Sequence, residues 1–117
     1  MRRCRRALRS EDGSVTAEFA VVVPAVVLVL AMGLSAIQVG LTQLRATDAA
    51  ADAARSLGRG EDGGTAAGRV SQMLPGATTA SSSEGDLVCV QVDAAGGSGL
   101  AALIPISVSS CALAGGR

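Results

Sequence analysis

The chain has no Trp, Tyr or His, a single Phe, and no Lys, since all ten of its basic residues are Arg. Each absence excludes something. Without His there is no side chain that titrates near neutral pH to act as a general base, and the usual nitrogen ligand for zinc is missing. Without aromatic rings a core must be built from aliphatic side chains alone, so the soluble part of a 117-residue chain is thin and marginally stable by itself. No glycine-rich phosphate loop follows a strand. Asp48 and Asp52, one helical turn apart, resemble a paired acid site, but they share a row with Arg45 and Arg55, which is the pattern of a solvated surface. The composition predicts a protein that is not an enzyme and that uses neither a cofactor nor a metal.

What is present is a long apolar run. From Phe19 to Leu41 the chain carries no charge, and ~20 apolar residues cross the hydrocarbon of a bilayer as a helix. A transmembrane helix is therefore predicted over 14–41, with the cell membrane as its surroundings. The stretch before it, MRRCRRALRSEDG, carries five Arg against Glu11 and Asp12, a net charge of +3, and the remainder carries −3. By the positive-inside rule the N-terminus stays cytoplasmic and the C-terminus is extracytoplasmic, in a single-pass protein. Thirteen residues, five of them Arg, with neither a fold nor interleaved aromatics offer nothing to read bases with, so no nucleic-acid partner is expected. Cys4 lies on the reducing side, close enough to the membrane for palmitoylation to be an alternative use of it. A secretory signal with its core at Phe19 to Leu30, cut after Ala31-Met32-Gly33, is a second reading of the run. Against it, the apolar stretch continues past Gly33 and Glu11, Asp12 and Glu18 precede it. Within the helix, Pro24 removes a backbone hydrogen bond and crowds the carbonyl of Ala20, and Ala36, Gly40 and nearby Gly33 form a small-residue face that another helix can approach closely.

Glu18 is the residue that needs a reason. A carboxylate on the first turn of a membrane helix costs free energy, roughly 2.5 to 3.5 kcal/mol at the bilayer centre and less near the interface. Gly13, four residues, then Glu18-Phe19 ahead of an uninterrupted apolar helix resembles the prepilin peptidase site of type IV pilins. With Val15-Thr16-Ala17 before it, the Glu-Phe pair is similar to that of the TadE-like minor pilins of tight-adherence (Flp) pilus systems. The resemblance implies cleavage between Gly13 and Ser14, discarding a basic leader at 1–13, and makes Glu18 the fifth residue of the mature chain. There it implies a pairing with the amino terminus of a neighbouring subunit, which suits the physics of a buried carboxylate in want of a cation. It further implies a minor pilin, or pseudopilin, taking part in assembly of a Flp pilus or related secretion filament. The implied partners are the prepilin peptidase, the major Flp pilin and other minor pilins, and the pilus assembly platform and ATPase. The alternative is a signal-anchored or secreted small interaction protein without a filament, in which Glu18 marks the water boundary and Gly13 is an ordinary loop glycine.

Beyond the bilayer the helix is predicted to continue over 42–60. TQLRATDAAADAARSL is dominated by Ala and has no Gly or Pro before Gly58. Arg45, Asp48, Asp52, Arg55 and Arg59 recur at three- and four-residue spacing, predicting a salt-bridged wet face; Ala46, Ala50, Ala53 and Leu57 predict a dry face opposite. A short second helix, Thr65 to Leu74 with Val70, Met73 and Leu74 as its apolar side, and a flexible polar linker at Gly76 to Gly85 occupy 61–85. In 86–117, Val88, Val90 and Val92 alternate along one strand and Ile104, Ile106 and Val108 along another, predicting a small two-stranded β-hairpin with a loose connection. If the Val and Ile faces are shared, Cys89 and Cys111 fall on the same outer side, where a disulfide would staple a domain short of core. A free thiol or a metal pair is the competing use of those cysteines. The fold class expected is thus α+β: one N-terminal transmembrane helix extended outside the membrane, a short helix and a hairpin.

Overall fold

The structure, a computed structural model, describes residues 11–115, with side chains from Gly13 onward. Residues 1–10 of the expected leader, Cys4 among them, lie outside the described residues, and Glu11 to Gly13 are already part of the first helix. The first element is a 48-residue helix, α1 (Glu11–Gly58), continuous through Pro24. The chain divides between Leu34 and Ser35 into two units.

The first unit is the apolar part of α1. Every described side chain from Gly13 to Leu30 is exposed, Phe19 at 68% and Val29 at 67%. A window of α1 with mean hydropathy 2.6 and none of it buried is long and apolar enough to cross a membrane.

The second unit runs from Ser35 and holds the rest of α1, then α2 (Gly63–Met73), β1 (Thr78–Glu84), β2 (Leu87–Ala95), a 3-10 turn (Gly99–Leu103) and β3 (Pro105–Leu113). The fold is α+β, as the alternation of periods predicts, but the sheet has three strands rather than two. β1, β2 and β3 form an antiparallel meander in chain order. The segment expected to be a flexible linker is β1: Thr78 to Glu84 pairs with Asp93 to Leu87 along its whole length. Its apolar content is a single Ala, so it has no alternating pattern to betray it, and it is held by backbone bonds to β2. Gly85, at φ 60°, and Asp86 make the two-residue hairpin turn between them, and Gly followed by Asp at that spacing is a hairpin signal.

The core lies between α1, α2 and one face of the sheet. Ala46, Ala49, Ala50, Ala53 and Ala54 of α1 are buried with Ala66, Val70 and Leu74 at α2 and with Val90, Val92 and Ile106 of the sheet. Small side chains let the helices sit close to the sheet, which is how a core without aromatics keeps its packing density. The dry face of α1 is wider than the expected stripe, because Ala49 and Ala54 join it and Leu57 is only partly buried. On α2, Val70 and Leu74 are buried while Met73 stays 42% exposed. Ile104 lies just before β3 and is exposed, so the inward set on that strand is Ile106 and Val108.

The end of α1 is a glycine cap. Gly60, at φ 88°, donates its N–H to the Leu57 carbonyl at 2.9 Å, and the Glu61 N–H reaches the Ser56 carbonyl at 3.1 Å. This is the Schellman pattern, which requires a left-handed residue at the penultimate position. Two residues earlier, Gly58 meets the sheet. A Cβ on it would lie 2.7 Å from the Leu113 carbonyl oxygen, and its own carbonyl accepts from the Gly115 N–H at 2.7 Å.

Candidate processing site and the stapled outer unit

Gly13, Ser14, Glu18 and Phe19 all lie on α1. Ser14 and Glu18 are four apart and share a helix face, with Phe19 beside them. All four are exposed, and Glu18 has no ion pair among the described residues. In lipid an unpaired carboxylate there is costly, so the side chain calls for a cation from outside the described chain. The Gly13-Ser14 bond lies within α1, at a glycine, the residue that weakens a helix most after proline.

Residues 13–55 are TadE-like. They match the family model described as TadE-like protein, and the match begins at the glycine of the Gly13-to-Phe19 pattern. It covers the apolar TadE-like helix and most of its outer continuation, and ends before α2 and the sheet. The TadE-like family is a structural, pilus-associated family, which makes a Tad pilus-associated protein the supported setting. No curated protein and no solved structure matches the chain significantly.

Outside the TadE-like segment, the structure joins Cys89 to Cys111 in a disulfide. The two residues are direct partners in the β2–β3 register, with Cα atoms 4.0 Å apart. They stand on the sheet face away from α1, in a row with Gln91, Asp93, Ser107 and Ser109.

The charged stripe behaves differently from expectation. Among the described residues no ion pair joins Arg45, Asp48, Asp52 and Arg55 to one another. The ion pairs instead converge on Glu61, which meets Arg59 and Arg69 at 3.2 Å each. Arg69 also donates to the hydroxyl of Ser56 at 2.8 Å, with Arg59 at a longer 3.5 Å, and Ser56 is the one described polar side chain that is fully buried. Sequence reasoning missed this cluster. Its only signal is Arg69 itself, a long charged side chain in an otherwise small and polar helix.

A cleft of about 160 Å³ between the helices and the sheet is lined by Ala53, Ala66, Ala67, Thr79, Ser81 and Val90 among others. No titratable side chain lines it, and it is below the ~300 Å³ at which small-molecule sites begin.

Proposed function

We propose that this protein is a minor pilin, or pseudopilin, of a tight-adherence (Flp) type IV pilus or related secretion filament. A prepilin peptidase cuts it between Gly13 and Ser14. The observation that carries the reading is the coincidence of the TadE-like match with the Gly13-to-Phe19 pattern at the head of an apolar helix. α1 spans the membrane with the Arg-rich end inside, and the unit beyond it, with its disulfide, is outside, where thiols oxidise.

Cleavage changes what Glu18 is for. Before it, the carboxylate lies near the interface with the Arg-rich leader still attached. Afterwards the leader is gone and the Ser14 amine is a new cation at helix level. A neighbouring subunit's amine can then neutralise Glu18 in lipid, and the anchor becomes a docking helix. The partners in this reading are the peptidase, the assembly platform and ATPase, the major pilin and other minor pilins.

N-terminal sequencing of the mature protein tests it. Ser14 as the first residue supports the reading. A start near Leu34 would mean ordinary secretion, and an intact Met1 an uncleaved anchor; either outcome overturns it.

A further inference from the structure

The connection from β2 to β3 is folded back on α1. The Gly96 N–H donates to the Ile104 carbonyl at 2.8 Å, the Ile104 N–H donates to the Ala101 carbonyl at 3.2 Å, and Ala101 is fully buried as a plug. A Cβ on Gly96 would lie 3.1 Å from Cγ2 of Val39, and one on Gly97 would lie 2.9 Å from Oε1 of Gln38. The loop is thus seated against α1 at Gln38 and Val39. That is the last turn of the apolar run to Leu41, which is followed by uncharged Thr42, Gln43 and Leu44 before the first charge at Arg45.

At this level the loop turns its large apolar side chains outward. Leu100 is 57% exposed, Leu103 79% and Ile104 46%. Ile37, Leu41 and Leu44 of α1 are exposed as well, and no charged residue occurs from Ala94 to Gly116. An ordered, uncharged loop that exposes three branched aliphatic side chains in water is disfavoured; clusters of this kind mark a surface that something apolar covers. The seat on α1 says what covers it, because the same level of α1 is where a membrane helix leaves the hydrocarbon.

We propose that the Gly99–Ile104 loop is a membrane-interface foot, with Leu100, Leu103 and Ile104 entering the boundary between headgroups and acyl chains of the outer leaflet. The proposal rests on α1 spanning the membrane. Apolar side chains at that depth bind by burying area in the interface, as interfacial amphipathic segments do. The foot and α1 together give the unit beyond Leu34 two attachments to the bilayer.

The test uses the full chain, one copy per nanodisc, with Cys4→Ser and the native disulfide intact. A polarity-sensitive fluorophore is attached through Leu100→Cys, Leu103→Cys, Ser109→Cys or Val29→Cys, in separate proteins. The expected result is that labels at 100 and 103 are quenched by a nitroxide carried high on the lipid chain. They are also shielded several-fold from aqueous iodide relative to Ser109, and Val29 responds to a deep nitroxide. Adding Leu103→Ser and Ile104→Ser to the Leu100→Cys protein lowers the lipid quenching several-fold; no change would mean that the label inserts itself, and overturns the proposal. A loop as open to iodide as Ser109, with Val29 still deep, overturns the foot and leaves the span standing. A Val29 label out of reach of lipid nitroxide removes the span and the foot with it. Shielding from both quenchers, seen only with several copies per disc, would assign the surface to a second copy of the chain and also overturn the proposal.

Discussion

Arg69 donates to the hydroxyl of Ser56 at 2.8 Å, so that a half-exposed guanidinium on α2 satisfies a fully buried oxygen on α1. Glu61 then holds the same guanidinium from the turn between the helices. Because Glu61 and its two Arg partners are all substantially exposed, the ion pairs contribute at most about 1 kcal/mol each. The buried hydrogen bond matters more.

Removing one partner of a buried hydrogen bond costs more than removing both, since an unsatisfied group is left behind at a penalty of ~1–3 kcal/mol. Arg69→Ala is therefore expected to destabilise the outer unit more than Ser56→Ala. The double variant should be close to the milder single one, showing coupling between the positions. Urea unfolding of the full chain in detergent, followed by amide exchange on α2, measures all three. Additive losses would show that the contact does not join the helices.

Reducing the Cys89–Cys111 disulfide opens a loop of sequence separation 22. In the chain-entropy model such a loop contributes ~3 kcal/mol. With a core made largely of Ala and Val, that is a large part of what a small unit has in hand. Reductant, or paired Cys89→Ser and Cys111→Ser, should make 78–113 sensitive to a protease that leaves the oxidised protein whole. Equal resistance in both states would contradict this.

Gly58→Ala should destabilise although Ala is the better helix former. The gain from propensity is about 1 kcal/mol. Against it, a methyl group at 2.7 Å from the Leu113 carbonyl oxygen must push α1 and β3 apart. Overpacking of this kind costs typically 1–3 kcal/mol. A thermal melt lower than that of the unchanged protein is the expected result.

Gly13→Val should block processing, because a bulky side chain keeps a peptidase from the backbone at that bond. Glu18→Ala should leave processing largely intact while weakening co-purification with other pilins. Normal cleavage of Gly13→Val, or full assembly of Glu18→Ala, would count against the filament role.

The apolar helix, its Ala-rich continuation and the inward Val residues of β2 were legible because each is a local repeat of period 3.6 or 2. The Gly13-to-Phe19 pattern was legible as a motif for the same reason: its meaning lies in spacing along the chain. β1 was not, since Thr, Ser and Ala carry no alternating apolar signal and the strand is held by the backbone of β2.

By itself the sequence determined a long apolar helix with one acid at its head, and placed two cysteines on one sheet face on condition that the Val and Ile faces are shared. Only the tertiary structure decided which strand sits beside β2, that Arg69 comes closest to Ser56, and where the β2–β3 loop rests on α1. The physical reason is distance along the chain. Periodicity is set by neighbours a few residues apart, whereas pairing, close approach and the satisfaction of a buried hydroxyl depend on residues brought together from 13 or more positions away.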